Sequence, residues 1–249
     1  MNKTSFYIGC AGFYNKHWRE VFYPPSMLQR QWYDFYCKHF NSLELNATFY
    51  SFPTLAKMRK WHDDSPEGFR LSVKAPRYIT HVKSLKDCSD KIREFYDVCR
   101  EGLGPKLGKL LFQLPPSYTF SEERLDRILA ALEPGFISVV EFRHSSWWQQ
   151  FVYDRLSEHG IIFCSTSYPD LPQDIITMGG MSYLRLHGIP RIFYSSYTME
   201  EQSAILDVLN AREGLKEAFV YFNNTASQAG IVDAGEFRDM VRARASARL

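Results

Sequence analysis

The chain has 249 residues, 45% hydrophobic and 23% charged, with a formal net charge of +2. These values exclude a disordered chain and a protein whose whole surface is a basic coat for polyanions. The five cysteines, Cys10, Cys37, Cys88, Cys99 and Cys164, include no CxxC pair, which argues against a thiolate zinc site and against a disulfide framework.

Residues 1–5 precede an apolar run directly, with no signal-peptide core. No stretch approaches the ~18–20 apolar residues of a membrane span. The expectation is a reduced, cytoplasmic protein that meets no membrane. Eight short apolar runs read as buried strands, at 6–10, 42–46, 69–74, 109–113, 138–143, 161–165, 182–187 and 218–223. Their starts fall roughly 30 residues apart, the chain economy of a (β/α)8 barrel. Helices are expected at 27–40, 54–63, 87–102, 121–132, 145–159 and 198–212, the last opened by a capping box from Thr198 to Glu201. The slot at 169–178 offers one or two turns at most. An open doubly wound sheet competes, but Gly9 and Gly12 are followed by bulky Phe13 and Tyr14 instead of a phosphate cradle. The fold class expected is α/β, a single-domain (β/α)8 TIM barrel over 1–249.

Period-two alternation sets which side chains enter the barrel. Leu43 and Leu45 share one face and should meet helices, so Glu44 and Asn46 point inward. Val139, Glu141 and Arg143 share a face, as do Tyr183, Arg185 and His187. Lys74, Gln113 and Asn223 or Asn224 end three further strands. Polar residues therefore collect at C-terminal strand ends, where barrel enzymes keep their sites. Each has a structural reading as well. Glu141 can pair with Arg143 or Arg185 simply to neutralise buried charge, Glu44 can accept from loop N–H groups, and His187 can be a satisfied core histidine. The loop after the third strand adds Arg77, His81 and Lys83, a basic stretch suited to a phosphate or carboxylate. Phe13, Tyr14, His17 and Trp18, with Trp147, Trp148, Tyr168, Tyr194 and Tyr197, fall on the same barrel face. They can stack on a sugar or base, or pack the loops together.

Several blocks then match a known pattern: IGCAG at 8–12, KHWR at 16–19, ELNATFY at 44–50, VKAP at 73–76 with ITH at 79–81, LFQLPP at 111–116, VEFRHSSW at 140–147, YLRLHG at 183–188 and YFNNT at 221–225. With them the sequence resembles the YecE-like family, a domain-of-unknown-function family of TIM barrels. It departs at Cys10, Ala11 and Phe13, where such proteins more often carry Thr-Ser-Gly-Trp around Gly12. The resemblance implies the barrel and brings no established activity.

The functional expectation is an enzyme acting on an anionic, phosphate-bearing substrate, a sugar phosphate or nucleic acid. Glu44, Glu141, Lys74 and His187 would carry the chemistry. Asn46, His81, Gln113, Arg143, Arg185, Asn223, Asn224, Trp18 and Tyr50 would bind the substrate. Paired carboxylates suit general acid–base work if their environments separate their pKa values. No cofactor is expected. A divalent metal on Glu44, Glu141 and His187 is the lesser option, because neighbouring arginines repel a cation. The alternative is a non-catalytic barrel that binds nucleic acid or a nucleotide.

Overall fold

The computed structural model describes residues 4–135 and 137–247. Eight parallel strands run β1 Ser5–Cys10, β2 Ser42–Leu45, β3 Arg70–Lys74, β4 Leu107–Gln113, β5 Ser138–Glu141, β6 Ile162–Ser167, β7 Met181–Leu186 and β8 Glu217–Phe222. Among the described residues seven α-helices accompany them: α1 Trp32–His39, α2 Leu55–Asp64, α3 Ser89–Leu103, α4 Glu122–Ala131, α5 Gln150–Glu158, α6 Met199–Ala211 and, after the last strand, α7 Ala229–Ser246. The first and last strands pair in register from Ser5 opposite Glu217 to Cys10 opposite Phe222, as barrel closure requires. The fold is a single TIM-like barrel.

The seam between β1 and β2 closes by side chains, not by a backbone ladder. Ile8 N donates to Asn41 Oδ1 at 2.8 Å, and Asn41 Nδ2 donates to Phe6 O at 2.8 Å. Further along, Cys10 N donates to Tyr36 Oη at 2.7 Å, and that hydroxyl donates on to Ser42 O at 3.0 Å. Buried backbone groups left without a ladder are satisfied this way. Gly9 makes the arrangement possible, because a Cβ there would collide with Ser42 O and stand 2.6 Å from Tyr36 Oη.

The core divides in two. Leu43 and Leu45 lie in the large layer between strands and helices, while Leu111, Val139, Ile162, Cys164, Tyr183, Phe219 and Tyr221 fill the barrel interior. The alternation expected from sequence therefore holds. The interior is partly polar. Tyr221 Oη bonds Ser72 Oγ at 2.9 Å and Ser42 Oγ at 2.5 Å.

Two helical slots differ from expectation. Between β6 and β7 no helix forms among the described residues, because Pro169 and Pro172 interrupt the segment and Asp170, Gly179 and Gly180 take positive φ. After β8, α7 forms although its N-terminal turn carries Gly230, a weak helix former. The space there is tight: a Cβ would sit 3.1 Å from Asn224 O and Oδ1. The capping box forms as read, with Glu201 N on Thr198 Oγ1 at 3.2 Å and Thr198 N on Glu201 Oε2 at 2.8 Å. No helix among the described residues is long and apolar enough to cross a membrane.

Candidate functional site

Strand parity brings Glu44, Glu141, Arg185 and His187 together at the C-terminal end of the barrel, each at most 1% exposed. Arg185 is the hub. Its Nε and Nη2 reach Glu44 at 3.0 and 2.7 Å, and its Nη1 reaches Glu141 Oε2 at 2.5 Å. Tyr183, two residues earlier on β7, donates its hydroxyl to Glu44 Oε2 at 2.7 Å. Arg143, just beyond the end of β5, donates Nε to Glu141 Oε1. Its guanidinium lies 4.2 Å from the Tyr168 ring centre, a placement that stabilises a cation without neutralising it. His187 completes the cluster. Its Nε2 stands 3.2 Å from Arg143 Nη2 and 3.3 Å from Glu141 Oε1, and its Nδ1 meets Asn223 Nδ2 at 2.7 Å.

These contacts fix protonation. Burial alone would raise the Glu141 carboxyl, but Arg143 and Arg185 outweigh it and hold the group well below the usual carboxylate range. Burial, reinforced by Arg143, pushes His187 down to about 3, so the ring is neutral. Arg185 is held above its ordinary range, since Glu141 and Glu44 outweigh its desolvation. Glu44 and Glu141, expected to act as acid and base, are both engaged by guanidinium donors, with the Tyr183 phenol also on Glu44. His187 likewise has protein partners at both ring nitrogens and serves as a spacer between Glu141, Arg143 and Asn223. As metal ligands these groups are poor, because guanidinium groups occupy the same carboxylates. Among the described residues no three metal-ligating side chains gather.

Lys74, at the end of β3, stands apart in kind. Its Nζ lies 4.3 Å over the Phe49 ring. No carboxylate of the described residues lies within ion-pairing distance. Burial and the Arg185 charge lower it to about 8, with Glu141 and Glu44 pulling the other way. His81 touches the same ring from another side, 5.0 Å between centroids, and is lowered to about 4 by burial and by Lys74. It sits in a π-helical turn, Tyr78–Val82, followed by positive φ at Ser84, Leu85 and Asp87. Backbone strain of this kind concentrates at ligand clamps and switch segments.

The remaining residues divide. Asn46 reaches Ala11 O at 3.3 Å and keeps a buried Oδ1 without a partner among the described residues. Gln113 is turned onto Leu114 O at 2.8 Å. Asn224 is a correction. Its neighbour Asn223 faces the mouth, so Asn224 faces away, holding Ser195 O and Asp233 behind the strand. Trp18 is another: it is fully buried, its Nε1 donates to Ser227 O at 2.9 Å, and its ring packs on Phe22 and Tyr23. Trp147 and Tyr197 are also core. Tyr50 is 85% exposed, with its ring edge-on to Phe49 at 5.2 Å. Two contributors escaped the sequence reading. Phe49 carries the lysine, and its only signal was its place between Thr48 and Tyr50. Thr166 pairs in register with Arg185, and its buried Oγ1 has no partner among the described residues. A polar residue two positions beyond Cys164 on an inward face was the signal for it.

The model of the family described as "Protein of unknown function DUF72" matches residues 7–248. The UPF0759 protein YecE of Escherichia coli K12 is 29% identical over 127 residues, covering 51% of this chain and 46% of that protein. The UPF0759 protein YunF of Bacillus subtilis is 30% identical over 156 residues, covering 60% and 54%. The chain thus spans about half the length of the curated relatives it matches. A DUF72 family protein of Thermotoga maritima superposes with a TM-score of 0.85 at 28% identity, over 96% of this chain and 99% of the other. A DUF72 protein of Enterococcus faecalis, 16% identical, shares the fold with a TM-score of 0.79, over 95% of each chain.

Proposed function

The chain belongs to the DUF72 family, and for this member we propose an enzyme that takes an anionic, phosphate-bearing substrate at the C-terminal mouth of the barrel. One observation carries the reading. Glu44 and Glu141 neutralise Arg185 and Arg143 within the cluster, and Lys74 is left as a cation with an aromatic face instead of a carboxylate. The cluster therefore keeps one net positive charge in a half-desolvated place, where a phosphate gains more than it would in water.

Arg143 supports the same end. Its Nε and Nη2 are engaged, while Nη1 has no protein acceptor among the described residues. Lys74 Nζ and Arg143 Nη1 supply the anion contacts, and the unpartnered Asn46 Oδ1 and Thr166 Oγ1 supply polar contacts to the rest of the substrate. Arg185 is taken out of the binding set, since it is committed to two carboxylates. Titration calorimetry with inorganic phosphate tests this. Binding that weakens at least ~tenfold in Lys74→Met and persists in Lys74→Arg supports the site; equal affinity in all three proteins removes it.

A second reading, a nucleotide-binding barrel without turnover, draws on exposed rings at the loops, with Tyr50 85%, Tyr194 46% and Tyr78 45% exposed. Nucleotide affinity that falls in Tyr50→Ala, with no phosphate ester turned over, favours it.

A further inference from the structure

We propose that the Lys74 ε-amine is a carbonyl nucleophile, forming an imine with an aldehyde or ketone whose phosphate is held by Arg143. The inference rests on the anion reading above and names the chemistry performed there.

Lys74 is set up for attack more than for charge pairing. A lysine that merely neutralises a buried acid sits on that acid, and here both acids are occupied by guanidinium groups. Its Nζ rests instead on the Phe49 face, which tolerates both the neutral amine and a cationic imine. Two guanidinium charges and burial disfavour the ammonium, the environment in which lysines become nucleophiles. An ordinary lysine titrates near 10.4. At neutral pH Lys74 therefore carries on the order of a hundredfold more neutral amine than a surface lysine.

The step balances without an added oxidant or reductant. The nitrogen lone pair attacks the carbonyl carbon, a C–N bond forms, and the C=O π pair moves to oxygen. Solvent carries a proton from nitrogen to that oxygen, giving a carbinolamine. Solvent donates a second proton to the carbinolamine hydroxyl, the nitrogen lone pair forms the C=N bond as the C–O bond breaks, and water leaves, so the product is the protonated imine. Arg143 Nη1 holds the phosphate, so the carbonyl presented to Lys74 belongs to a short phosphorylated aldehyde or ketone.

Dihydroxyacetone phosphate with sodium cyanoborohydride is the probe, read by peptide mass mapping of the full chain. Lys74 should be labelled about tenfold or more faster than any surface lysine, with the rate rising through pH 8 and labelling suppressed by inorganic phosphate. Lys74→Arg should keep its melting temperature but lose the label. If phosphate binds and Lys74 is not labelled above surface lysines, the imine is overturned and the anion site stands. If glycolaldehyde labels Lys74 equally well and phosphate neither binds nor competes, the imine stands and the phosphate reading falls. If nothing binds and nothing is labelled, both fall.

Discussion

Arg185 reaches from β7 across the inside of the barrel and grips Glu44 on β2 with two nitrogens, at 3.0 and 2.7 Å. The pair is essentially without solvent exposure. Charges taken this far from water are costly unless every lone pair is met. Here Tyr183 meets the second Glu44 oxygen, and Glu141 takes the remaining Arg185 nitrogen. Removing the hub should hurt far more than removing a surface pair. Arg185→Met is expected to lose about 3–5 kcal/mol in urea unfolding, because two carboxylates are then buried face to face. Arg185→Met combined with Glu44→Met should be more stable than the single variant. A single variant within ~1 kcal/mol of the parent would show that the cluster is not buried in solution.

The strand alternation that placed this cluster was legible because the inward residues are unusual. Glu44 between Leu43 and Leu45, or Arg185 between Leu184 and Leu186, has one direction available once the leucines face helices. Partner choice was not legible. Three cations and two carboxylates permit several pairings, and only distances across the barrel show that Arg185 bridges both acids while Lys74 takes Phe49. Trp18, expected to bind substrate, is core instead for a related reason, and of the two readings open for Trp147 the packing one is what forms. Sequence marks a loop's end of the barrel but not whether a ring in it turns inward, and both fill the space between their loops and neighbouring elements.

Lys74→Met should leave stability unchanged or raise it slightly, by up to about 1 kcal/mol, because no acid loses a partner and a partly desolvated ammonium disappears. The same variant should lose phosphate affinity. Chemical denaturation at pH 7 measures the first and calorimetry the second. A loss above ~2 kcal/mol would assign Lys74 to the structural network instead.

Acid should destabilise the fold through His187. Its folded value is about 3 against an unfolded value near 6.5. As pH falls below 6.5 the unfolded chain takes up a proton that the folded chain refuses, so stability declines towards pH 3, with a slope of up to about 1.4 kcal/mol per pH unit. His187→Gln should make the profile shallower between about 6.5 and 4.5, above the range where Glu141 contributes, leaving the like-signed contribution of His81 and the opposite one of Asp233. Parallel profiles for parent and variant would show a protonated ring in the fold.

At the barrel seam, Tyr36→Phe leaves the Cys10 N–H and the Ser42 carbonyl without the shared hydroxyl. The expected cost is about 1–3 kcal/mol in thermal or urea unfolding. Gly9→Ala should cost about 3 kcal/mol, since the clash is with backbone and with a fully buried tyrosine. If Gly9→Ala were neutral, the two strands would have to be further apart than the side-chain bridges allow.

Asp233, in α7, is 1% exposed and has no cation paired with it among the described residues. Its Oδ2 accepts from Tyr197 N at 3.1 Å and from Asn224 Nδ2 at 2.6 Å, tying the loops after β7 and β8 together. These bonds favour the anion, yet burial outweighs them and raises the carboxyl to about 6. The sign is opposite to that of His187. Between the unfolded value near 3.9 and the folded value, the folded chain holds the extra proton, so this group's contribution to stability is full below about 4 and is lost as pH rises to 6. Asp233→Asn keeps an oxygen for both donors and removes the charge. It should therefore match the parent near pH 4 and exceed it above pH 6, by between about 1 and 3 kcal/mol. Urea midpoints of both proteins from pH 4 to 8 measure the gap. A gap that stays constant with pH would mean the carboxyl is already ionised throughout, held by its two donors against burial. A variant less stable at every pH would mean that the charge-assisted bonds are worth more than the desolvation they offset.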